Sequence, residues 1–157
     1  MTATPGKRSA ALPKRCRLSA RAEFQIVYAQ GQRHDGRLMA AFLRRNELGY
    51  HRLGLTASSK AVGKSVDRNR ARRLLRELFR RSGEELDRLR ESYDWVINAR
   101  RSLLNSTEEL RFREFRKIVE QVARREGQGV ARREREGDRG SSLTVREGSK
   151  TNDGSPR

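Results

Sequence analysis

The stretch K-S-V-D-R-N-R-A-R-R-L-L-R-E-L-F-R-R, residues 64–81, carries eight basic side chains and only Asp67 and Glu77 as acids. At 100° per residue, Ala71, Leu74, Leu75, Leu78 and Phe79 gather on one side. Arg68, Asn69, Arg72, Arg73, Arg76 and Arg80 form a broad stripe opposite them. The spacing predicts a helix from about Val66 to Arg81 with Ser65 as its N-cap. Like charges stacked at i, i+4 destabilise a bare helix. Solvated faces normally interleave acids with bases, and this one barely does, so the stripe predicts a surface neutralised by a phosphate backbone. Arginine suits that task because its planar fork grips phosphate oxygens bidentately.

On the N-terminal side, Ser19 is a candidate N-cap for a helix to Gln30, stopped by Gly31, with Phe24, Val27 and Tyr28 on one face. Residues 37–43 read as a strand, with Leu38, Ala40 and Phe42 alternating against Met39, Ala41 and Leu43. Asn46, Glu47 and Gly49 supply turn chemistry before a second strand over 52–58, where Leu53, Leu55 and Ala57 share a face. On the C-terminal side, residues 93–99 form the clearest strand, with Trp95, Ile97 and Ala99 together. Ser106 and Glu109 make a capping box for a last helix to about Arg125, its core face holding Phe112, Phe115, Ile118, Val119 and Val122. The expected architecture is α/β: a small mixed, antiparallel-leaning sheet with three helices packed on it.

The ends differ in character. Residues 1–13 hold Pro5, Gly6 and Pro13 without periodicity and are expected to be a flexible basic arm. Residues 126–157 hold six glycines and few large apolar side chains, and are expected to be a disordered tail. The 157-residue chain has a formal net charge of +17, of which +14 falls within residues 14–125. A charge excess concentrated in the folded part favours a polyanionic partner. No apolar run approaches the length of a membrane span, so no membrane association is expected. The single cysteine, Cys16, fits a cytoplasmic protein.

Catalytic groups are scarce. A self-sufficient ribonuclease would want paired histidines, yet only His34 and His51 exist, both expected at surface strand edges or turns. No cysteine–histidine zinc spacing or helix-turn-helix pairing is present. Asp67 stands alone in the basic helix, so neither a catalytic residue nor a metal site is expected in the protein. The basic helix lies between strands of a compact domain, which suits docking on the shape and backbone of a folded RNA. A ribosomal or ribosome-associated RNA-binding protein would share these traits and is the alternative reading.

The order of features over residues 14–125 resembles the bacterial ribonuclease P protein family. K-R-C-R-L-S-A-R-A-E-F-Q-I-V-Y-A-Q-G looks like the family's opening basic and aromatic helix. R-L-G-L-T-A-S-S-K is similar to its glycine-containing strand with a terminal Ser-Lys. V-D-R-N-R-A-R-R-L-L-R-E looks like its arginine-asparagine-arginine signature helix. Two positions depart from the pattern: Arg72 stands for the usual lysine, and Ala61 for a second lysine after Lys60. The resemblance implies a left-handed β-α-β crossover and an accessory protein subunit of an endoribonuclease that matures tRNA 5′ ends. It implies that the RNA subunit performs the hydrolysis, with Mg²⁺ in the ribonucleoprotein and one protein per RNA. The protein would bind the catalytic RNA and the single-stranded 5′ leader of precursor tRNA. Carried over by position, Lys60, Lys64, Arg68, Asn69, Arg70, Arg72, Arg73 and Arg76 are the expected RNA-binding residues. Phe24, Tyr28 and Phe42 are the expected leader cleft.

Overall fold

A computed structural model describes residues 12–154 of the chain. Residues 1–11 of the expected arm, and 155–157 of the expected tail, lie outside the described residues. After a 3₁₀ turn (Lys14–Cys16) come helix α1 (Arg21–Gln30) and strands β1 (Gln32–Asp35), β2 (Met39–Asn46) and β3 (Arg52–Thr56). Helix α2 (Ser65–Arg81), the short helix α3 (Gly83–Leu86), strand β4 (Ser92–Ala99), a second 3₁₀ turn (Arg101–Asn105) and helix α4 (Glu108–Gly154) follow. The strands form one sheet in the order β1-β2-β4-β3. β1 and β4 pair antiparallel with β2, whereas β3 pairs parallel with β4, so β3, α2 and β4 make a β-α-β unit.

Strand β1 was not among the expected strands. Its sequence, Q-R-H-D, lacks apolar alternation and buries only His34. Backbone pairing with β2, from Gln32 opposite Leu43 to Asp35 opposite Ala40, is enough to form an edge strand. β2 starts at Met39 rather than Arg37 because the Gly36 N–H donates to Met39 O (2.8 Å) and closes the hairpin. It then runs to Asn46, opposite Ser92.

The sheet is covered on both faces. Trp95, Ile97, Met39, Ala41 and Leu43 pack with Ala71, Leu75, Leu78 and Phe79 of α2 and with Phe115, Ile118, Val119 and Val122 of α4. The rings of Phe79, Trp95 and Phe115 meet pairwise with centroids 5.4–6.1 Å apart. Leu74 and Phe112, also assigned to this core by periodicity, are only half-buried at its margin. On the opposite face, α1 closes a smaller core of Leu18, Val27 and Val96, with Phe24 and Phe42 against it. There Gly54 is a steric requirement: a Cβ at that position would lie 2.7 Å from Cζ of Phe24.

Helix starts differ from the capping residues expected. At α1, Glu23 accepts from the N–H groups of Ser19 and Ala20 (both 3.1 Å), so the cap is this carboxylate rather than the Ser19 side chain. Ser65 lies inside α2, behind Lys64. At α4, Thr107 Oγ1 accepts from Leu110 N (3.1 Å), whereas Ser106 Oγ donates back to Leu103 O (2.6 Å). Both histidines also differ from expectation: His34 is buried and His51 half-buried, its Nδ1 accepting from Tyr93 N (3.1 Å) and Trp95 Nε1 (3.3 Å).

Helix α4 continues past Arg125 to Gly154, where the sequence predicts a disordered tail. One anchor lies just beyond the expected end: Glu126 accepts from Arg90 N (2.9 Å), Glu91 N (3.0 Å) and Tyr93 Oη (2.7 Å). Burial, then this carboxylate, pushes the Tyr93 phenol up, keeping it a donor. Beyond the anchor, a helix satisfies its backbone groups internally and needs no apolar burial to do so.

A partly buried ion-pair cluster ties α1 to the sheet. Arg52 on β3 donates from Nε to Asp94 Oδ1 (2.8 Å) and from NH2 to Oδ2 (2.7 Å). Its NH1 reaches Glu23 of α1 (3.1 Å), and Asn46 Nδ2 donates to Asp94 Oδ1 (2.7 Å). Burial alone would raise the Asp94 carboxyl, but the Arg52 and Asn46 hydrogen bonds outweigh it and hold it below its ordinary 3.8. A depressed carboxyl stabilises the fold fully above its unfolded value and loses that contribution as pH falls through the lower folded value. Asp94→Asn should therefore cost up to about 3 kcal/mol at neutral pH, by leaving Arg52 with Glu23 as its remaining anionic partner. It should also flatten the decline in stability below pH 3.8, read by urea unfolding across pH. Equal stability of variant and parent at neutral pH would contradict this.

Candidate nucleic-acid interface

The approach to α2 is built from backbone constraints. Gly63 has φ +118°, a conformation that L side chains rarely adopt. The Arg101 guanidinium holds the carbonyl of the preceding residue, Val62. From this turn α2 presents its apolar side to the sheet and its arginines outward.

The expected RNA-binding residues fall into two groups. Lys60, Lys64, Asn69, Arg70, Arg73 and Arg76 are exposed, and none of these basic groups has an acidic partner among the described residues. The other two are engaged. Arg68 is half-buried, with NH1 donating to Gly63 O (2.9 Å), and Arg72 NH1 donates to Asn69 Oδ1 (3.0 Å). Arg68 thus braces the turn into the helix, a role that charge periodicity cannot show. The remaining cations pair with acids: Arg80 with Glu77 (2.5 Å), and Arg81 with Glu108 while its guanidinium lies 5.1 Å above the Phe112 ring. Arg80 and Arg81 also sit in the last turn, where the helix dipole favours cations. The free guanidinium face therefore centres on Arg70, Arg73 and Arg76.

The aromatic residues come together on the other side of the sheet. Phe24 and Phe42 are partly buried against Leu18, Val27 and Val96, while Tyr28 is 39% exposed. Tyr28 and Phe42 meet edge to face, with ring centroids 4.8 Å apart. The Tyr28 hydroxyl donates to Asn98 Oδ1 (2.8 Å), which also accepts from Thr56 Oγ1 (2.7 Å). The Arg33 guanidinium lies 5.4 Å from the Phe42 centroid. Sequence reasoning missed Asn98, Thr56 and Arg33. The signal for Asn98 was present: it is a polar residue within the apolar strand 93–99, on the face opposite Trp95 and Ile97.

Among the described residues, no helix is long and apolar enough to cross a membrane. No group of three or more histidine, cysteine or carboxylate side chains is placed to hold a metal ion. A free arginine helix on one side of a mixed sheet, and an aromatic face on the other, define an RNA-binding α/β protein. The comparisons make the class specific. The Ribonuclease P family matches residues 12–123, and the chain belongs to the ribonuclease P protein family. It is 33% identical over 105 residues to the ribonuclease P protein component of Fusobacterium nucleatum, covering 67% of this chain and 91% of that one. It is 34% identical over 108 residues to that of Coxiella burnetii, covering 69% and 86%. The RNase P protein of Staphylococcus aureus superposes with TM-score 0.55 at 25% identity, covering 69% of this chain and 94% of that one. The Thermotoga maritima protein gives 0.53 at 28%, covering 69% and 96%. These similarities support the role of ribonuclease P protein subunit, in tRNA processing, and do not favour the ribosomal alternative.

The division within α2 is testable by substitution. Arg70→Ala, Arg73→Ala and Arg76→Ala should each weaken RNA binding and lower the salt slope of log affinity by about one unit, without changing the melting temperature. Arg68→Ala should lower the melting temperature as well, because its guanidinium holds Gly63 O. Filter binding over a salt series with thermal melts checks both. Arg68→Ala melting like the parent protein would contradict the bracing role.

Proposed function

We propose that this chain binds the catalytic RNA of ribonuclease P through the free arginine face of α2. In this reading it holds the single-stranded 5′ leader of precursor tRNA on the aromatic face beside α1, and the RNA subunit performs the phosphodiester hydrolysis. One protein serves each RNA, in the cytoplasm. Mg²⁺ belongs to the RNA in this reading.

The observation that carries the reading is the separation of the two surfaces. The arginine face sits on the helix that covers one face of the sheet, and Phe24, Tyr28 and Phe42 sit on the other face. A protein built this way can hold two RNA segments without competition between them. The aromatic face suits a single strand because rings offer every base a stacking surface, independent of sequence. Tyr28 is the best placed of the three: its ring is exposed, and its hydroxyl is held by Asn98. Phe24 is wedged against Gly54 and serves mainly as the floor.

Tyr28→Ala should weaken binding of leader-bearing precursor tRNA to the reconstituted ribonucleoprotein by about 1–3 kcal/mol, the worth of one stacked base. Mature tRNA and RNA-subunit binding should stay as in the parent. Tyr28→Phe, which keeps the ring and loses only the Asn98 bond, should retain most of the affinity. Equal losses for precursor and mature tRNA would contradict leader binding at this face.

A further inference from the structure

We propose a second RNA-backbone site on the opposite edge of the sheet from α2, formed by His34 of β1 with Gln121, Arg124, Arg125 and Gln128 of α4. The proposal rests on the reading above, that the partner is RNA. These five residues line a cavity of about 240 Å³. The four from α4 recur at i, i+3, i+4 and i+7, so they share one helix face. β1 is an edge strand, separated from β3 by β2 and β4, whereas α2 packs on β3 and β4.

His34 identifies this as more than a charged surface. It is only 4% exposed, and its Nδ1 lies 3.0 Å from Gln121 Oε1. An amide oxygen only accepts, so the contact with Gln121 selects the Nδ1–H tautomer, in which Nε2 offers a lone pair. Nε2 is buried and has no hydrogen-bond partner among the described residues. Buried polar atoms are rarely left so, because an unmade bond costs the full desolvation of the group.

The surrounding charge indicates the ligand. Arg124 and Arg125 are exposed and have no acidic partner among the described residues. Arg125 also lines a neighbouring cavity of about 300 Å³, together with Arg45, Arg90 and Arg133. The two acids there are occupied: Glu91 pairs with Arg45 (3.2 Å), and Glu126 accepts from the Arg90 and Glu91 backbone and from Tyr93. Uncompensated guanidinium forks beside a buried acceptor match two adjacent groups of an RNA strand. The arginines take the phosphate oxygens, and a ribose 2′-hydroxyl donates to His34 Nε2 as the longer side chains turn outward onto the phosphate. That hydroxyl contact is what would distinguish RNA from DNA.

The test uses the full-length protein with labelled bacterial ribonuclease P RNA and, separately, labelled precursor tRNA, by anisotropy over a salt series. Arg124→Ala/Arg125→Ala is compared with Arg88→Ala/Arg116→Ala, which removes equal charge beside the acidic α3. The first variant should lower the salt slope by about two units, one per phosphate contact, and the RNA on which it does so is the one held here. The His34 side-chain ¹⁵N resonance should also move when that RNA is added. If the parent protein binds and both double variants show the same slope on both RNAs, the site is overturned and the α2 reading stands. A parent protein that binds neither RNA would overturn the functional reading itself.

Discussion

The bidentate pair between Arg52 and Asp94 is the constraint on which the arrangement of the two surfaces depends. Asp94 lies on β4, the strand that pairs with both β2 and β3, and its carboxylate is almost wholly covered. Replacing a buried ion pair by apolar residues often leaves stability unchanged, but removing one partner is costly. The pair therefore matters less as a source of net stability than as a fixture. Arg52 can satisfy Asp94 and Glu23 together only when α1 lies at one position over the sheet. Glu23 in turn caps the first turn of α1, so one acid starts the helix and docks it. The position of Tyr28 above Phe42 and Asn98 follows from that docking.

Much of this was legible in the sequence because it rests on periodicity. The split of α2 into an apolar and a basic side, the strand over Trp95 and Ile97, and the core face of α4 all repeat at 3.6 or 2 residues. What was not legible rests on partners distant in sequence. Strand β1 carries no pattern of its own and exists because β2 offers an edge. The caps at Glu23 and Thr107 differ from the expected serines by a choice among neighbouring acceptors that spacing does not resolve. Arg68 and Arg73 are both arginines of one basic helix, yet only Arg68 is bound to the turn at Gly63. The burial of His34 depended on a helix 87 residues away.

Three acids are engaged within the fold, whereas selected bases are left facing outward. Asp94, Glu23 and Glu126 are committed to backbone N–H groups, a half-buried arginine or a phenol within the protein. Arg70, Arg73 and Arg76 of α2, and Arg124 and Arg125 of α4 near β1, face solvent without such neutralisation. Self-repulsion among them is tolerable because the double-sided apolar core holds the fold, and a polyanion relieves it on binding. In the proposed function the same design assigns the chain one contribution, to position RNA and offset phosphate charge.

That claim is tested most directly by reconstituting precursor-tRNA cleavage with a bacterial ribonuclease P RNA at low Mg²⁺, with and without this protein. The account predicts that the RNA alone is nearly inactive there and that adding the protein restores 5′ cleavage at the mature end. RNA activity at low Mg²⁺ that is unchanged by the protein, under conditions where the protein is bound, would contradict it.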